Sequence, residues 1–270
     1  MLRAFRHELR LFGVALQFLT RLTLPTAAST PSWDDRWLQD AVRYFPAVGV
    51  VVGSVTGVLA SAAASVWSPA VAAVLAIGVG VWLTGAFHED GLADTFDALG
   101  GYAGRERALQ IMKDSRIGTF GAVALLVVTA SRIGALAQIT ARSPSAAAWA
   151  CVWAHALARW TSVAVMTRMP YAGDATQARA RPLTSGVSAR QCVMSALSLV
   201  PMAAAATLWM HAECTRVILA LAAAMLVAWS IRRWVRRRLG GYTGDTLGAT
   251  EQLAEAAVLL TLAAAWAPVA

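Results

Sequence analysis

The stretch that decides the fold is PAVAAVLAIGVGVWLTGAF, Pro69 to Phe87, together with HEDGLADTFD, His88 to Asp97, which follows without a break. The first part carries no charge over a length that crosses a bilayer. The second holds Glu89, Asp90, Asp94 and Asp97, four of only 15 acidic residues in the chain. An apolar span therefore delivers a cluster of carboxylates directly to its end.

The rest of the sequence repeats the apolar theme. Of the 270 residues, 58% are hydrophobic and 14% charged, against about 25% charged in soluble domains. Mean hydropathy is +0.56. Seven spans are predicted: Phe45 to Val66, Pro69 to Phe87, Ile117 to Thr140, Ala146 to Thr167, Gln191 to Met210, Cys214 to Ile231 and Leu253 to Ala267. The expected fold is all-α, a polytopic membrane helix bundle of about seven transmembrane helices, forming one integral membrane domain over residues 1–270. Cys151, Cys192 and Cys214 lie in or beside apolar segments without paired spacing, so they read as small apolar fillers.

The net charge of +8 does not point to nucleic acid, because the basic residues sit in short clusters between spans. These are Arg105, Arg107, Lys113 and Arg116; then Arg168, Arg179, Arg181 and Arg190; then Arg232, Arg233 and Arg236 to Arg238. The arm before the first span adds Arg3, Arg6, Arg10, Arg21, Arg36 and Arg43, whereas the alternate loops have only Arg142 and Arg216 in or near them. By the positive-inside rule the N-terminus and the basic segments 88–116, 168–190 and 232–251 face the cytoplasm of a bacterial inner membrane. Anionic lipid and phosphorylated substrates are the matching partners. Residues 1–24 form an amphipathic helix with Arg3, His7, Arg10, Gln17 and Arg21 on one stripe, suited to the cytoplasmic membrane surface.

Asp90, Asp94 and Asp97 stand at i, i+4 and i+7, so a helix presents them on one face. Such a face needs a neutralising cation, and Mg²⁺ takes one or two carboxylates plus phosphate and water. Gly91 inside the cluster admits a substrate or a second backbone. A second stretch, MKDSRIGTFG (Met112 to Gly121), sets Lys113, Ser115, Arg116 and Thr119 at the mouth of the third span. There the start of a helix suits phosphate. A third, GGYTGDTLGATE (Gly240 to Glu251), is rich in glycine but lacks the lysine of a P-loop. In it Asp245 and Glu251 are candidates to complete a metal site or orient a ribose. Intramembrane charge is functional by default: Arg159 is expected to snorkel toward the carboxylates as a phosphate ligand, and Arg132, nearer the outer end, to be a structural anchor. His155 reads as a satisfied interface histidine, and Trp149, Trp153 and Trp160 as packing or belt residues.

Three stretches together resemble the cobalamin synthase family: FHEDGLADTFDALGG (Phe87 to Gly101), RERALQIMKDSRIGTFGAVAL (Arg105 to Leu125) and GGYTGDTLGATEQ (Gly240 to Gln252). ALQFLTRLTLP (Ala15 to Pro25) and YFPAVGVVVG (Tyr44 to Gly53) are similar to the same family. The resemblance implies a transferase that joins adenosylcobinamide-GDP to α-ribazole, or its 5′-phosphate, and releases GMP, with Mg²⁺ as cofactor. Carried over, the family's acidic motif falls on Asp90, Asp94 and Asp97 with Glu89 beside it, and its glycine-rich motif on Gly244 and Asp245. Phosphoryl transfer further calls for a base on the attacking hydroxyl, with Asp94 and Asp97 as candidates. The resemblance also leaves room for a homo-oligomer or for association with other late corrinoid-pathway enzymes. A rival reading is a CDP-alcohol phosphotransferase, but the arginine expected soon after the first Asp-Gly is missing at Leu92 to Asp94, and the carboxylates are spaced more tightly. A transporter would instead set its charges at the bilayer midplane.

Overall fold

A computed structural model describes residues 2–23, 36–174, 181–201 and 214–264. Among them are eleven α-helices: α1 (Leu2–Leu19), α2 (Arg36–Ala41), α3 (Phe45–Ala63), α4 (Pro69–Thr84), α5 (Phe87–Leu99), α6 (Arg105–Ile111), α7 (Thr119–Arg142), α8 (Pro144–Met166), α9 (Ala189–Leu197), α10 (Cys214–Leu239) and α11 (Gly244–Ala263). Local chemistry sets their ends. Ser68, Ser143 and Thr243 cap α4, α8 and α11 by accepting from Val71, Ala146 and Thr246 N–H, and a proline opens the first turn of α4 and of α8. α4 stops at Gly85 (φ 69°), Ala86 follows in the same left-handed region (φ 59°), and the chain turns by 89° into α5.

The centre of the bundle is α8, packed against α3 on one side and α11 on the other. Gly49, Gly53 and Gly57, one per turn of α3, lie flush on the α8 backbone: a methyl on Gly53 would come within 2.6 Å of the Cys151 carbonyl, and one on Gly57 within 2.7 Å of that of Ala148. Small residues at this spacing let membrane helices approach to backbone contact. α7 packs against α4, α5 and α11, and α10 against α11. Phe120, Val123, Leu126 and Val127 on α7 and Ile218, Leu226 and Trp229 on α10 stay exposed, as lipid-facing side chains do.

By length and composition three described helices can cross a membrane, or four if the bent pair α4–α5 is one span. The all-α membrane bundle stands, but the count of seven does not carry over to the described residues. The second predicted span breaks at Gly85. Nearly half of the fifth, residues 202–210, lies outside the described residues. α8 and α11 are long enough but too polar, because His155, Arg159, Glu251, Gln252 and Glu255 are buried within them. α11 begins at Gly244, nine residues before the predicted Leu253, so the third glycine-rich stretch is mostly helix rather than loop. α1 differs as well. Its Leu11, Val14, Leu16 and Leu19 are buried in the core beside Val42, Phe45 and Leu83, leaving Phe5 and Leu9 exposed. It is amphipathic, with the bundle taking most of its apolar face.

Two ends of the bundle can be told apart. At one, Ser61 donates to the Pro144 carbonyl and Arg142 to that of Ala264. At the other, Arg238 donates to the carbonyls of Leu99, Gly101 and Ala103, and Arg105 to those of Leu239 and Ala172. The acidic helix α5 ends at this second, basic end.

Candidate active site

α5 carries Asp90, Asp94 and Asp97 on successive turns, Asp90 exposed and the other two half-buried. Three contacts fasten the quoted motifs to one another. Gly91 rests on Asp245 at the start of α11, where a methyl would meet the Asp245 carbonyl at 2.7 Å. Asp97 accepts from Gly118 N–H at 2.7 Å with Oδ2 and from Gly121 N–H at 2.8 Å with Oδ1, which closes the N-terminus of α7. The Thr243 hydroxyl, which caps α11, lies 3.6 Å from the Met112 sulfur, next to Lys113. The acidic helix, the Lys113–Gly121 segment and the glycine-rich turn thus meet at the basic end of the bundle, although up to 150 or so residues separate them in sequence.

The candidate residues are not equivalent in this arrangement. Lys113, Ser115, Arg116 and Gly244 are exposed, and a side chain built on Gly244 would meet nothing within 4 Å. The start of α11, with N–H groups and the dipole pointing outward, therefore has open space for an anion. Arg116 forks onto Asp114, Nη2 to Oδ2 at 2.6 Å and Nε to Oδ1 at 3.0 Å. Hydrogen bonds from Arg116 hold the Asp114 carboxyl down at about 2. Both Asp97 oxygens are already engaged by backbone donors.

Below the surface lies a group that the sequence reading divided differently. Glu89, the residue before Asp90, has Oε1 3.2 Å from Arg132 Nη1. Arg132 also pairs with Glu255 at 2.6 Å and donates to Gln252. Glu255 reaches His155 Nδ1 at 3.1 Å, and Glu251 stands 3.0 Å from both His88 Nε2 and Arg159 Nη1. All but Glu89 are buried to 4% exposure or less. Arg159 is therefore beneath the acidic face, paired to Glu251, rather than on it. Arg132 is an anchor inside the bundle, because the bend after α4 starts α5 deep in it and brings Glu89 to the guanidinium. Glu255 and Gln252 were passed over inside the last span. The signal was available: His155 and Arg159 on one helix and Glu251 and Glu255 on another both stand at i, i+4, so two oppositely charged pairs sit on single helix faces.

Among the described residues no group of three His, Cys, Asp or Glu side chains is arranged to hold a metal ion by itself. The donor set still suits a hard cation that keeps substrate oxygens and water as ligands. Asp90 and Asp94 flank the Gly91–Asp245 contact, and Glu89 Oε2 is buried with no hydrogen-bond partner.

The family model described as cobalamin-5-phosphate synthase matches residues 11–263. An adenosylcobinamide-GDP ribazoletransferase of Leptothrix cholodnii is 46% identical, covering 97% of this chain and 98% of its own length. Proteins of the same name from Albidiferax ferrireducens and Shewanella piezotolerans are 39% and 35% identical, over 94% and 98% of this chain and 98% and 100% of theirs. No solved structure matches the chain.

Proposed function

Because the chain belongs to the cobalamin-5-phosphate synthase family, we propose that it joins adenosylcobinamide-GDP to α-ribazole, or its 5′-phosphate, with release of GMP. A hydroxyl of the ribazole ribose attacks the phosphorus that carries cobinamide. A P–O bond forms, the bond to the GMP leaving group breaks, and the hydroxyl proton goes to a base. The observation that carries this reading is the meeting of three motifs at one end of the bundle, through Gly91 on Asp245, Asp97 on Gly118 and Gly121, and Thr243 beside Met112.

Roles follow from surroundings. Asp90, Asp94 and Asp245, with Glu89 as a further donor, would hold Mg²⁺, whose contribution is to neutralise the pyrophosphate oxygens. Lys113, Ser115 and the backbone at Gly244 bind the phosphates, and Arg116 joins them when it leaves Asp114. Of the two candidate bases we favour Asp94, since both oxygens of Asp97 are occupied in closing α7. Arg159 serves the site only indirectly, by balancing Glu251. The site faces the cytoplasm of the inner membrane, as the arginines gathered at its end of the bundle imply, and anionic lipid meets the same arginines. The test is GMP release from adenosylcobinamide-GDP by membranes carrying the protein, with α-ribazole or its 5′-phosphate added. Release that depends on the acceptor and on Mg²⁺ is expected; its absence in well-folded protein would refute the reading.

A further inference from the structure

A guanidinium inside an apolar bundle is tolerated only where acceptors match its forked donors. Arg132, 1% exposed, is matched on all three nitrogens. Nε and Nη2 donate to Glu255 Oε1 at 2.9 and 2.6 Å, and Nη1 donates to Gln252 Oε1 at 2.5 Å and to Glu89 Oε1 at 3.2 Å. One side chain on α7 thereby grips α11 twice and α5 once. Glu255 is fixed from a fourth helix by His155 on α8.

The grip on α5 falls in its first turn, beside His88, which pairs with Glu251 of α11. α5 starts after two consecutive left-handed residues, has no side-chain cap, and leaves α4 at 89°. Its far end is tied to α7 by Asp97, and at Gly91 it touches α11 through a residue with no side chain to resist rolling. Rotation about the helix axis is set in the first turn by two buried ion pairs, His88 with Glu251 and Glu89 with Arg132. A shift of one residue in a helix of 3.6 residues per turn swings a side chain by about 100°. Glu89 adjoins Asp90, so its ion pair with Arg132, which helps fix that rotation, also aims the carboxylates. A buried ion pair suits this task because every register but one leaves a charge unmatched; specifying register is the best-attested use of such pairs.

We infer that Arg132, oriented by Glu255, is a positioning residue for the proposed transfer: through Glu89 it helps set the rotation at which α5 presents Asp90 and Asp94 to the start of α11. It touches no substrate. The inference rests on the reading that this face of α5 is the reaction site.

The test uses the full chain in detergent or nanodiscs, with Arg132→Lys, which keeps the charge and loses the fork, and Glu255→Gln, which keeps the shape and loses the charge. Thermal unfolding, Mn²⁺ binding by electron paramagnetic resonance, and kcat and KM are measured on each. The expected result is a fall in kcat of at least about 10²-fold, the cost of misplacing reacting groups, with KM for adenosylcobinamide-GDP changed by no more than about threefold. Mn²⁺ affinity should fall by about 10- to 100-fold, as when an outer-shell partner of metal ligands is lost. A lower unfolding midpoint with kcat per folded molecule and Mn²⁺ affinity unchanged would overturn the inference and leave Arg132 merely structural. If Arg132→Lys fails to fold, Glu255→Gln is judged by the same criteria. Mn²⁺ binding needs no substrate, so a wild-type chain that releases no GMP would sink the proposed transfer while the metal measurement still decides the role of Arg132.

Discussion

Gly91 on α5 lies against the backbone of Asp245 so closely that an added methyl would stand 2.7 Å from the Asp245 carbonyl oxygen and 3.0 Å from its Cα. The contact puts the middle of the acidic face on the first turn of the last helix. Gly91→Ala should therefore push the two apart although alanine is a better helix former by about 1 kcal/mol. The expected outcome is protein at normal level in the membrane with turnover lowered by about 10²-fold. Gly78→Ala is the control, since a methyl there meets nothing within 4 Å and should leave turnover and melting unchanged or raise melting slightly. Equal activity of the two variants would show that the Gly91–Asp245 contact is not needed for the site.

Asp94 and Asp97 stand one turn apart on α5, yet their variants should fail in different ways. Asp97 accepts two backbone N–H groups at the start of α7, so Asp97→Ala should cost about 1–2 kcal/mol of stability, the range for losing a helix cap. It should lower the unfolding midpoint. Asp94→Asn should cut turnover by more than about 10²-fold in protein that still folds. Unfolding scans set beside GMP-release rates separate the two. A stable but inactive Asp97→Asn with an active Asp94→Asn would transfer the role of base to Asp97.

The arrangement of the acidic stretch was legible in the sequence. The i, i+4, i+7 spacing of Asp90, Asp94 and Asp97 survives as one face of α5, and Gly91 admits a second backbone as its place in the cluster suggested. The buried network was not legible, for a physical reason. Hydropathy averages over a window, so Glu255 vanished among the alanines and leucines of its span, and Arg132 was placed by distance from the helix end rather than by what faces it. What faces it depends on the break at Gly85 and Ala86. That break exists because a non-glycine residue adopts φ 59°, a conformation that a composition rule cannot foresee. The glycines Gly49, Gly53 and Gly57 on α3 gain their meaning only from their partner, the backbone of α8.

The Asp114–Arg116 pair gives a prediction about pH. Hydrogen bonds from Arg116 hold Asp114 at about 2, below its ordinary 3.8. A depressed carboxylate contributes fully above its unfolded value and loses the contribution only as pH falls through the folded one. The pair therefore stays closed throughout pH 5–9, and KM for adenosylcobinamide-GDP should show no step in that range that Asp114→Asn abolishes. Removing the charge should release the Arg116 fork to the phosphates, lowering KM by roughly two- to fivefold, the worth of an exposed ion pair, with kcat unchanged. A raised KM in Asp114→Asn would mean that Asp114 presents Arg116 to substrate rather than withholding it.

The placement of the whole site in the cytoplasm turns on which end of the bundle is which. One end gathers Arg105, Lys113, Arg116, Arg168 and Arg236 to Arg238 around the end of α5. The other has Arg142 against Ala264 and the Ser61–Pro144 contact, with α10 starting just before Arg216. The intervening α7, 24 residues long, rises about 36 Å at 1.5 Å per residue, enough to cross a hydrocarbon core of about 30 Å. Lysine and arginine near span ends hold their side in the cytoplasm. An alkaline phosphatase domain fused after Arg142 or Arg216 should therefore be active, because that enzyme folds only in the oxidising periplasm. The same domain fused after Lys113 should be silent. The start and end of α7 make the comparison internal, since one uninterrupted helix separates the two fusion points. Active fusions at Lys113 and silent ones at Arg142 would put the carboxylates outside the cell, away from any cytoplasmic nucleotide, and would defeat the proposed transfer along with the topology.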